Sequence, residues 1–257
     1  NSKIAAAIKL KSFPVAILFT DKKAEVAVQF AAGRWGCVIT MLNAAAKGRT
    51  VVFDRQTYGC IGGGAGLGFG NTYVKFPGGI EYFLSVGNQE FCASERGRTI
   101  TENMPRLVHG ERYKKSPEHA KSFTDALPYY DVPTEFVVFK PLDKLLPEDQ
   151  PEVIVFLVNP DQISALVVLA NYARHGGENV IVPWGAGCHC IGIIPFHEGQ
   201  SPNPRGVIGL IDISARKHVA KDILSFSVPY NMFVEMEGNV EESFLTTDQW
   251  LTLRDRN

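Results

Sequence analysis

One short segment has the pattern of a strand that is followed directly by a helix: Val153-Ile154-Val155-Phe156-Leu157-Val158-Asn159-Pro160-Asp161. The apolar run at 153–158 is typical of a strand that is covered on both faces. Asn159 then provides a helix N-cap, and Pro160 fits the first helical position. Apolar residues recur at helical spacing as far as Ala170. The segment therefore predicts a strand followed by a helix, which is the unit of an α/β protein.

The same alternation continues on both sides of this segment. The apolar patterns predict strands at 15–19, 25–30, 50–53, 136–140, 180–182 and 206–213, and helices at 3–11, 37–47, 117–126 and 231–245. The strand that begins at Val180 is expected to run on to Gly187 and Cys188. We therefore predict an α/β fold with mixed sheets and flanking helices, formed as a single domain over residues 1–257.

One spacing occurs twice and indicates an internal repeat. Gly48 and Cys60 are twelve positions apart, and so are Gly176 and Cys188. In both places a helix, a glycine, a strand and a Gly-Cys pair follow one another. This spacing predicts two related α/β halves, 1–140 and 150–257, that face each other. The segment 141–149, rich in proline and charge, would be the boundary between them.

Composition excludes several classes of partner. The formal net charge is −1 and no long basic run is present, so we expect no nucleic-acid partner. No apolar run reaches the roughly 18–20 residues of a membrane span. Five cysteines without disulfide-scaffold density indicate a reducing compartment, which favours the cytoplasm. A homodimer is expected as the commonest assembly, and the partner is expected to be a small-molecule substrate or a redox protein.

Three cysteines that follow glycine are the candidate metal ligands: Cys37, Cys60 and Cys188, with Cys190 two residues beyond the last. Thiolates bind soft metals and hold iron–sulfur clusters. Glycine beside such a ligand lets the backbone approach a cluster and leaves N–H groups free to contact it. Gly59, Gly62 and Gly187 are therefore predicted to bind the cofactor. At a helix start, the dipole is expected to lower the thiol pKa of Cys37.

Other readings of these residues stay open. A free cysteine often behaves as a small buried hydrophobe, and this is the expected role of Cys92. The same thiols could hold a mononuclear zinc ion, or the chain could be a metal-free module for a small ligand. Arg216 is predicted to contact an anionic substrate or cluster, with a solvated charged face as the alternative. The glycine run 62–70 fits neither G-x-G-x-x-G nor a P-loop, so it predicts a mobile or tightly packed turn.

The chain resembles the ArCR-type family labelled domain of unknown function 169. The resemblance rests on the strand at Pro14-Val15-Ala16-Ile17, the helix between Cys37 and Gly48, Cys60 before small residues, Val158-Asn159-Pro160-Asp161-Gln162, and Cys188 with Pro195 seven residues later. It spans nearly the whole chain. The family is found mostly in anaerobic prokaryotes and has no settled activity. The resemblance implies that Cys37, Cys60 and Cys188 bind an iron–sulfur cluster, for which we expect the [4Fe-4S] type.

The resemblance leaves the fourth ligand open. A further family cysteine falls close to Asp212, where this sequence has an aspartate, and Cys190 is additional to the family pattern. The candidates are Cys190, Asp212, His189 and an open coordination position. An open iron would bind substrate as a Lewis acid, whereas a closed site favours electron transfer.

Overall fold

Seven strands form one sheet in the computed structural model, which describes residues 2–256. The strands are β1 (Val15–Thr20), β2 (Val51–Phe53), β3 (Phe136–Pro141), β4 (Pro151–Val158), β5 (Val180–Ile181), β6 (Gly206–Gly209) and β7 (Leu224–Pro229). Their order across the sheet is β2-β3-β1-β4-β7-β6-β5. Neighbouring strands are antiparallel except β5 and β6, which are parallel. The prediction of a mixed α/β fold is confirmed.

The helices of the described residues are α1 (Lys3–Ala7), α2 (Val38–Ala46), α3 (Ile61–Leu67), α4 (Ile80–Phe83), α5 (Gln89–Ala93), α6 (Glu95–Asn103), α7 (Pro117–Asp125), α8 (Pro160–Asn171), α9 (Gly187–Ile191), α10 (Ile193–Gly199), α11 (Ile213–Arg216), α12 (Tyr230–Asn239) and α13 (Asp248–Arg254). In the part of the chain from 2 to 256, none of them is both long and apolar enough to cross a bilayer.

Alternate residues of each strand supply two separate cores. Phe156 and Ile154 of β4 belong to the core formed with α1, α8 and α12. Val155 and Val153, which point to the other face, belong to the core formed with α2 and α9. The sheet therefore lies between two layers of helices, and the second layer carries Cys37 and Cys188.

The predictions around β4 are confirmed in detail. The strand is buried along almost its whole length, and α8 begins with a complete capping box, in which the Asn159 side chain accepts from the Gln162 N–H and the Gln162 side chain accepts from the Asn159 N–H. Pro160 occupies the first turn. The strand at 15–19 and the helix at 37–47 also form close to their predicted bounds, as β1 and α2.

Several sequence predictions were wrong. The predicted strand at 25–30 is only an isolated bridge between Val28 and Val51. The strand from Val180 ends at Ile181, and Gly187 and Cys188 lie in a helix instead. The closing helix ends at Asn239 rather than 245, helix α1 is shorter than 3–11, and β6 ends at Gly209. Strand β7, with two serines among its apolar residues, was not predicted.

The glycine run after Cys60 is the largest correction. It was expected to be a mobile or tightly packed turn, but Ile61–Leu67 is helix α3, and its residues from Gly63 onward are buried. Low helix propensity is overridden here by tertiary packing, because an added Cβ at Gly63, Gly64 or Gly66 would lie 2.6–2.8 Å from a neighbouring atom.

Each predicted half supplies one contiguous part of the sheet. Strands β1 to β3 lie on one side and β4 to β7 on the other, and the two parts meet where β1 pairs with β4. The segment 141–149 connects β3 to β4, which flank β1. The duplication of two halves stays a prediction. Asn1 and Asn257, the ends of the predicted domain, lie outside the described residues.

Candidate functional site

Three of the predicted cysteines lie at the starts of three helices. Cys37 is the N-cap of α2, Cys60 is the N-cap of α3, and Cys188 is in the first turn of α9. The Cys60 sulfur accepts a hydrogen bond from the Gly63 N–H at 3.2 Å. All three residues line the same cavity. The fold thus brings to one site three cysteines of which the first and last, Cys37 and Cys188, are 151 positions apart in the chain.

Helices α3 and α9 approach each other so closely that side chains are excluded between them. A Cβ on Gly66 would lie 2.6 Å from the carbonyl carbon of Cys188, and one on Gly192 would lie 2.0 Å from the Gly66 carbonyl oxygen. The Cys188 thiol donates to the Gly62 carbonyl oxygen at 2.9 Å. The glycines of α3 therefore allow the Cys60 and Cys188 helices to touch.

Of the three glycines predicted to bind a cofactor, Gly59 lies where two cysteine segments meet, and the other two line the cavity. Gly59 has a φ of +79°, and a Cβ there would lie 2.5 Å from the carbonyl oxygen of Gly36. This contact brings the segments that end in Cys37 and Cys60 together. Gly62 and Gly187 line the cavity, and added Cβ atoms there would lie 3.1 Å from the Tyr73 hydroxyl and 3.2 Å from Asp212 Oδ2.

The cavity has a volume of about 250 Å³. Its lining residues come from two parts of the chain. The helix starts supply its thiols together with His189, Asp212 and Ser214. The middle segment, defined as residues 71–127, supplies much of an apolar wall together with the isolated residues Trp35 and Trp184. Trp184 packs against Phe123 with ring centroids 4.4 Å apart and the ring planes tilted by 56°, and the Lys114 ammonium lies 4.6 Å from the Trp184 centroid. The apolar lining residues include Trp35, Phe76, Ile80, Phe83, Met104, Phe123 and Trp184.

One carboxylate of the middle segment also faces this cavity. Glu111 lies 2.9 Å from Arg106 Nη1 and accepts a hydrogen bond from the Tyr113 hydroxyl at 3.0 Å. Burial, followed by this hydrogen bond, raises the pKa of Tyr113 to about 12. The aromatic wall and this polar group were not predicted, since the irregular sequence of the middle segment carries no periodic signal.

Burial dominates the electrostatics of the thiols. It raises the pKa of Cys37, of Cys60 and, most strongly, of Cys188. Backbone N–H groups of the helix starts act in the opposite direction at Cys37 and Cys60, but less strongly. The expectation of a lowered pKa at Cys37 was therefore wrong, because desolvation outweighs the helix start. A positively charged group in the cavity would be needed to favour the thiolates.

Asp212 is buried beside the thiols. It is the N-cap of α11, and its Oδ1 accepts from the Ala215 N–H at 2.9 Å and from the Ser214 hydroxyl at 2.5 Å. Its Oδ2 has no hydrogen-bond partner among the described residues. The Asp212 side chain lines the cavity.

His189 is fully buried at the edge of the site. Its Nε2 lies 3.0 Å from the Tyr73 hydroxyl, and its Nδ1 has no hydrogen-bond partner in the part of the chain described. Burial lowers the pKa of this imidazole to about 4, so the ring is neutral near pH 7.

Two cysteines lie away from the cavity lining. Cys190 is fully buried in a separate apolar cluster with Ile193, Ile194 and Val207, and its sulfur lies 3.8 Å from the Pro183 carbonyl oxygen. Burial raises its thiol pKa to about 12. Cys92 is half-buried in α5. The structure thus brings together Cys37, Cys60 and Cys188, and it does not bring Cys190 to them.

Arg216 has contacts within the protein rather than in the cavity. Its guanidinium donates to the carbonyl oxygens of Leu210, Ala220, Lys221 and Ile223, with 2.6 Å to Lys221. These bonds hold the loop that follows α11. Removing the guanidinium leaves several acceptors without a protein donor.

Arg216→Gln is therefore expected to lower the free energy of unfolding by about 1–2 kcal/mol. The matched change at the exposed neighbour, Lys217→Gln, is expected to alter it by no more than about 0.5 kcal/mol. Urea unfolding followed by circular dichroism measures both. Equal, small effects would mean that Arg216 is not a structural clamp and is free for the predicted anion contact.

The thiols of Cys37, Cys60 and Cys188 line one cavity, but they do not converge on a single point within it. Within residues 2–256, no three His, Cys, Asp or Glu side chains are gathered closely enough to bind a metal ion as they stand.

The fold and the site give the class of the protein, and comparison with known proteins gives its family. The fold and the site define an α/β protein in which three helix-start cysteines line one cavity. The model of the uncharacterised ArCR family, DUF169, matches residues 3–239, so the chain belongs to this family. The resemblance noted from the motifs is confirmed. No curated protein and no solved structure matches the chain significantly.

Proposed function

We propose that this protein binds an iron–sulfur cluster, of the [4Fe-4S] type, through Cys37, Cys60 and Cys188. The observation that carries the proposal is the convergence of three thiols, from three separate helix starts, on one buried cavity. Iron–sulfur clusters are held by three or four thiolates. Cysteines that served only as core residues would not need to border the same space.

The residues present fit such a group in three respects. The thiols are soft donors, and their raised pKa values would fall on binding a cation. The cavity, at about 250 Å³, exceeds the roughly 30 Å³ share of one water several-fold. Asp212 Oδ2 is a buried acceptor without a partner among the described residues. Because the three thiols surround a cavity instead of meeting at one point, they suit a group that contains several metal atoms.

When bound, a cluster of this kind supplies either electron transfer or Lewis-acid activation of a ligand at an exposed iron. The chain's own residues do the remaining work. Phe83, Phe123 and Trp184 exclude water from the cavity and offer aromatic faces to an organic molecule. The Glu111 carboxylate already pairs with Arg106 and accepts from the Tyr113 hydroxyl, and its remaining lone pairs can accept a hydrogen bond from such a molecule. We propose a small-molecule substrate, or a redox partner, and a reducing cytoplasmic location in which these free thiols persist.

A metal-free module for a small ligand is the second candidate. It is favoured by one observation, that burial keeps the three thiols protonated in the absence of a cation. In that case the predominantly apolar cavity would be the whole site.

Metal and sulfide analysis tests the proposal. The wild-type protein is reconstituted anaerobically with Fe²⁺ and sulfide, desalted and analysed. We expect iron and acid-labile sulfide in equal amounts, with broad absorption near roughly 400 nm. Zinc without sulfide would establish the mononuclear alternative. A colourless protein without iron or zinc would contradict both metal hypotheses and leave the metal-free module.

A further inference from the structure

Asp212 combines two properties that rarely occur together, deep burial and an unused carboxylate oxygen. Its relative exposure is 6%. One oxygen, Oδ1, is occupied by the Ala215 N–H and the Ser214 hydroxyl, whereas Oδ2 has no hydrogen-bond partner within residues 2–256. Buried polar atoms are nearly always paired, because an unpaired one loses its hydration without compensation. An orphan oxygen of this kind is available to contact a bound group.

The orphan oxygen belongs to the cysteine site. Asp212 lines the same cavity as Cys37, Cys60 and Cys188. A Cβ built on Gly187, which directly precedes Cys188, would lie 3.2 Å from Oδ2. The free oxygen is therefore next to the start of the helix that presents Cys188.

The competing donors are less well placed. The Cys190 sulfur lies among Ile193, Ile194 and Val207 and does not line the cavity. His189 uses Nε2 at the Tyr73 hydroxyl. His189 also lines the cavity, but its free Nδ1 lies on the side of Gly185, 3.5 Å from the position of a Cβ there, and Gly185 is not part of the lining.

We propose that Asp212 Oδ2 would be the fourth, oxygen contact to a cluster held by Cys37, Cys60 and Cys188. This inference rests on the proposed function. Iron in such clusters prefers thiolate, so a single carboxylate contact is the weakest of the four and the first to exchange. In this arrangement the three thiols would retain the group, and the carboxylate would be the contact that is lost first.

Two substitutions at this position separate the ligand role from the capping role. Asp212→Asn retains an acceptor for the Ala215 N–H, and asparagine caps helices as well as aspartate does. It replaces only the unpaired oxygen, by an amide nitrogen. Asp212→Cys offers a thiolate in the same place. The exposed Asp222, which does not line the cysteine cavity, provides the control change Asp222→Asn.

Each protein is reconstituted anaerobically, treated with a mild one-electron oxidant, and examined by iron analysis and electron paramagnetic resonance. The wild type and Asp222→Asn are expected to lose about one iron in four and to give the signal of a three-iron cluster. Asp212→Cys is expected to retain all of its iron. Asp212→Asn is expected to lose that iron before any oxidant is added. In the metal-free form, its circular dichroism spectrum is expected to match that of the wild type, and its melting temperature to be equal or higher.

The outcomes distinguish this inference from the proposed function. A wild type that binds no iron and sulfide contradicts the proposed function itself. A wild type that binds the cluster while Asp212→Asn and Asp212→Cys both behave as the wild type does overturns the role of Asp212 alone. If Asp212→Cys does not fold, the comparison of Asp212→Asn with Asp222→Asn decides the question.

Discussion

Cys188→Ser is expected to abolish cluster assembly while leaving the fold intact. Cys188 is 6% exposed and its thiol donates to the Gly62 carbonyl oxygen. A serine hydroxyl can donate to the same oxygen, so the stability of the metal-free protein should change by no more than about 1 kcal/mol. The hydroxyl is a poor substitute for a soft thiolate. Since even the loss of a partner that only orients a ligand costs about 10–100-fold in metal affinity, we expect at least about 100-fold weaker iron binding.

Cys92→Ser is the matched control for this change. Cys92 is also a free cysteine, but it is half-buried in α5 and does not line the cavity. Its variant is expected to bind iron and sulfide as the wild type does. Iron bound at equal levels by the two variants would contradict the assignment of Cys188. A melting temperature that falls only in Cys188→Ser would mean that its loss of iron reflects unfolding.

Gly66→Ala is expected to destabilise the protein by about 2–3 kcal/mol, or more if the two helices cannot separate. The new Cβ would lie 2.6 Å from the Cys188 carbonyl carbon and 2.8 Å from its sulfur. Helices α3 and α9 must then move apart, which also displaces Cys60 relative to Cys188. We therefore expect weaker iron binding in addition to lower stability, measured by urea unfolding and by iron analysis.

The control for Gly66→Ala is another helical glycine with free space around it. Gly238 lies in α12, and a Cβ there would meet nothing within 4 Å. Gly238→Ala is expected to stabilise the protein by about 0.4–1 kcal/mol, because alanine restricts the unfolded chain. If both substitutions stabilise the protein, the close approach of α3 and α9 is not a requirement of the fold.

Local patterns were sufficient to predict the elements that carry strong periodic or capping signals. The apolar run of β4 and the Asn159-Pro160 start of α8 gave both the fold class and nearly correct bounds. Helix α2 was predicted for the same reason, and so was the position of Cys37 at its start. These features depend on residues that are close in sequence, and the physics that fixes them is local.

The misassigned elements depend on contacts between distant residues. Helix α3 contains four glycines, and its propensity gives no helical signal. The helix forms because α9 covers it from more than one hundred residues away, which no local pattern reveals. The apolar wall was missed for a similar reason, since Phe83, Phe123 and Trp184 come together only in the folded chain.

The candidate site was predicted in part. Glycine before cysteine identified Cys37, Cys60 and Cys188, and the structure brings all three to one cavity. The interpretation of the sequence added Cys190 because it lies two residues beyond Cys188, but its side chain lies in another apolar cluster. It also assigned Arg216 to the cofactor, whereas the guanidinium binds backbone carbonyls. Spacing along the chain shows which residues are near each other in sequence, but not which way a side chain points.

The most direct test of the central claim is anomalous diffraction at the iron absorption edge, from crystals of the anaerobically reconstituted wild type. We expect iron in the cavity, bound to the sulfurs of Cys37, Cys60 and Cys188, with Asp212 at the remaining position. Iron bound elsewhere, for example at Cys92, or a cavity that contains no iron after reconstitution, would contradict it.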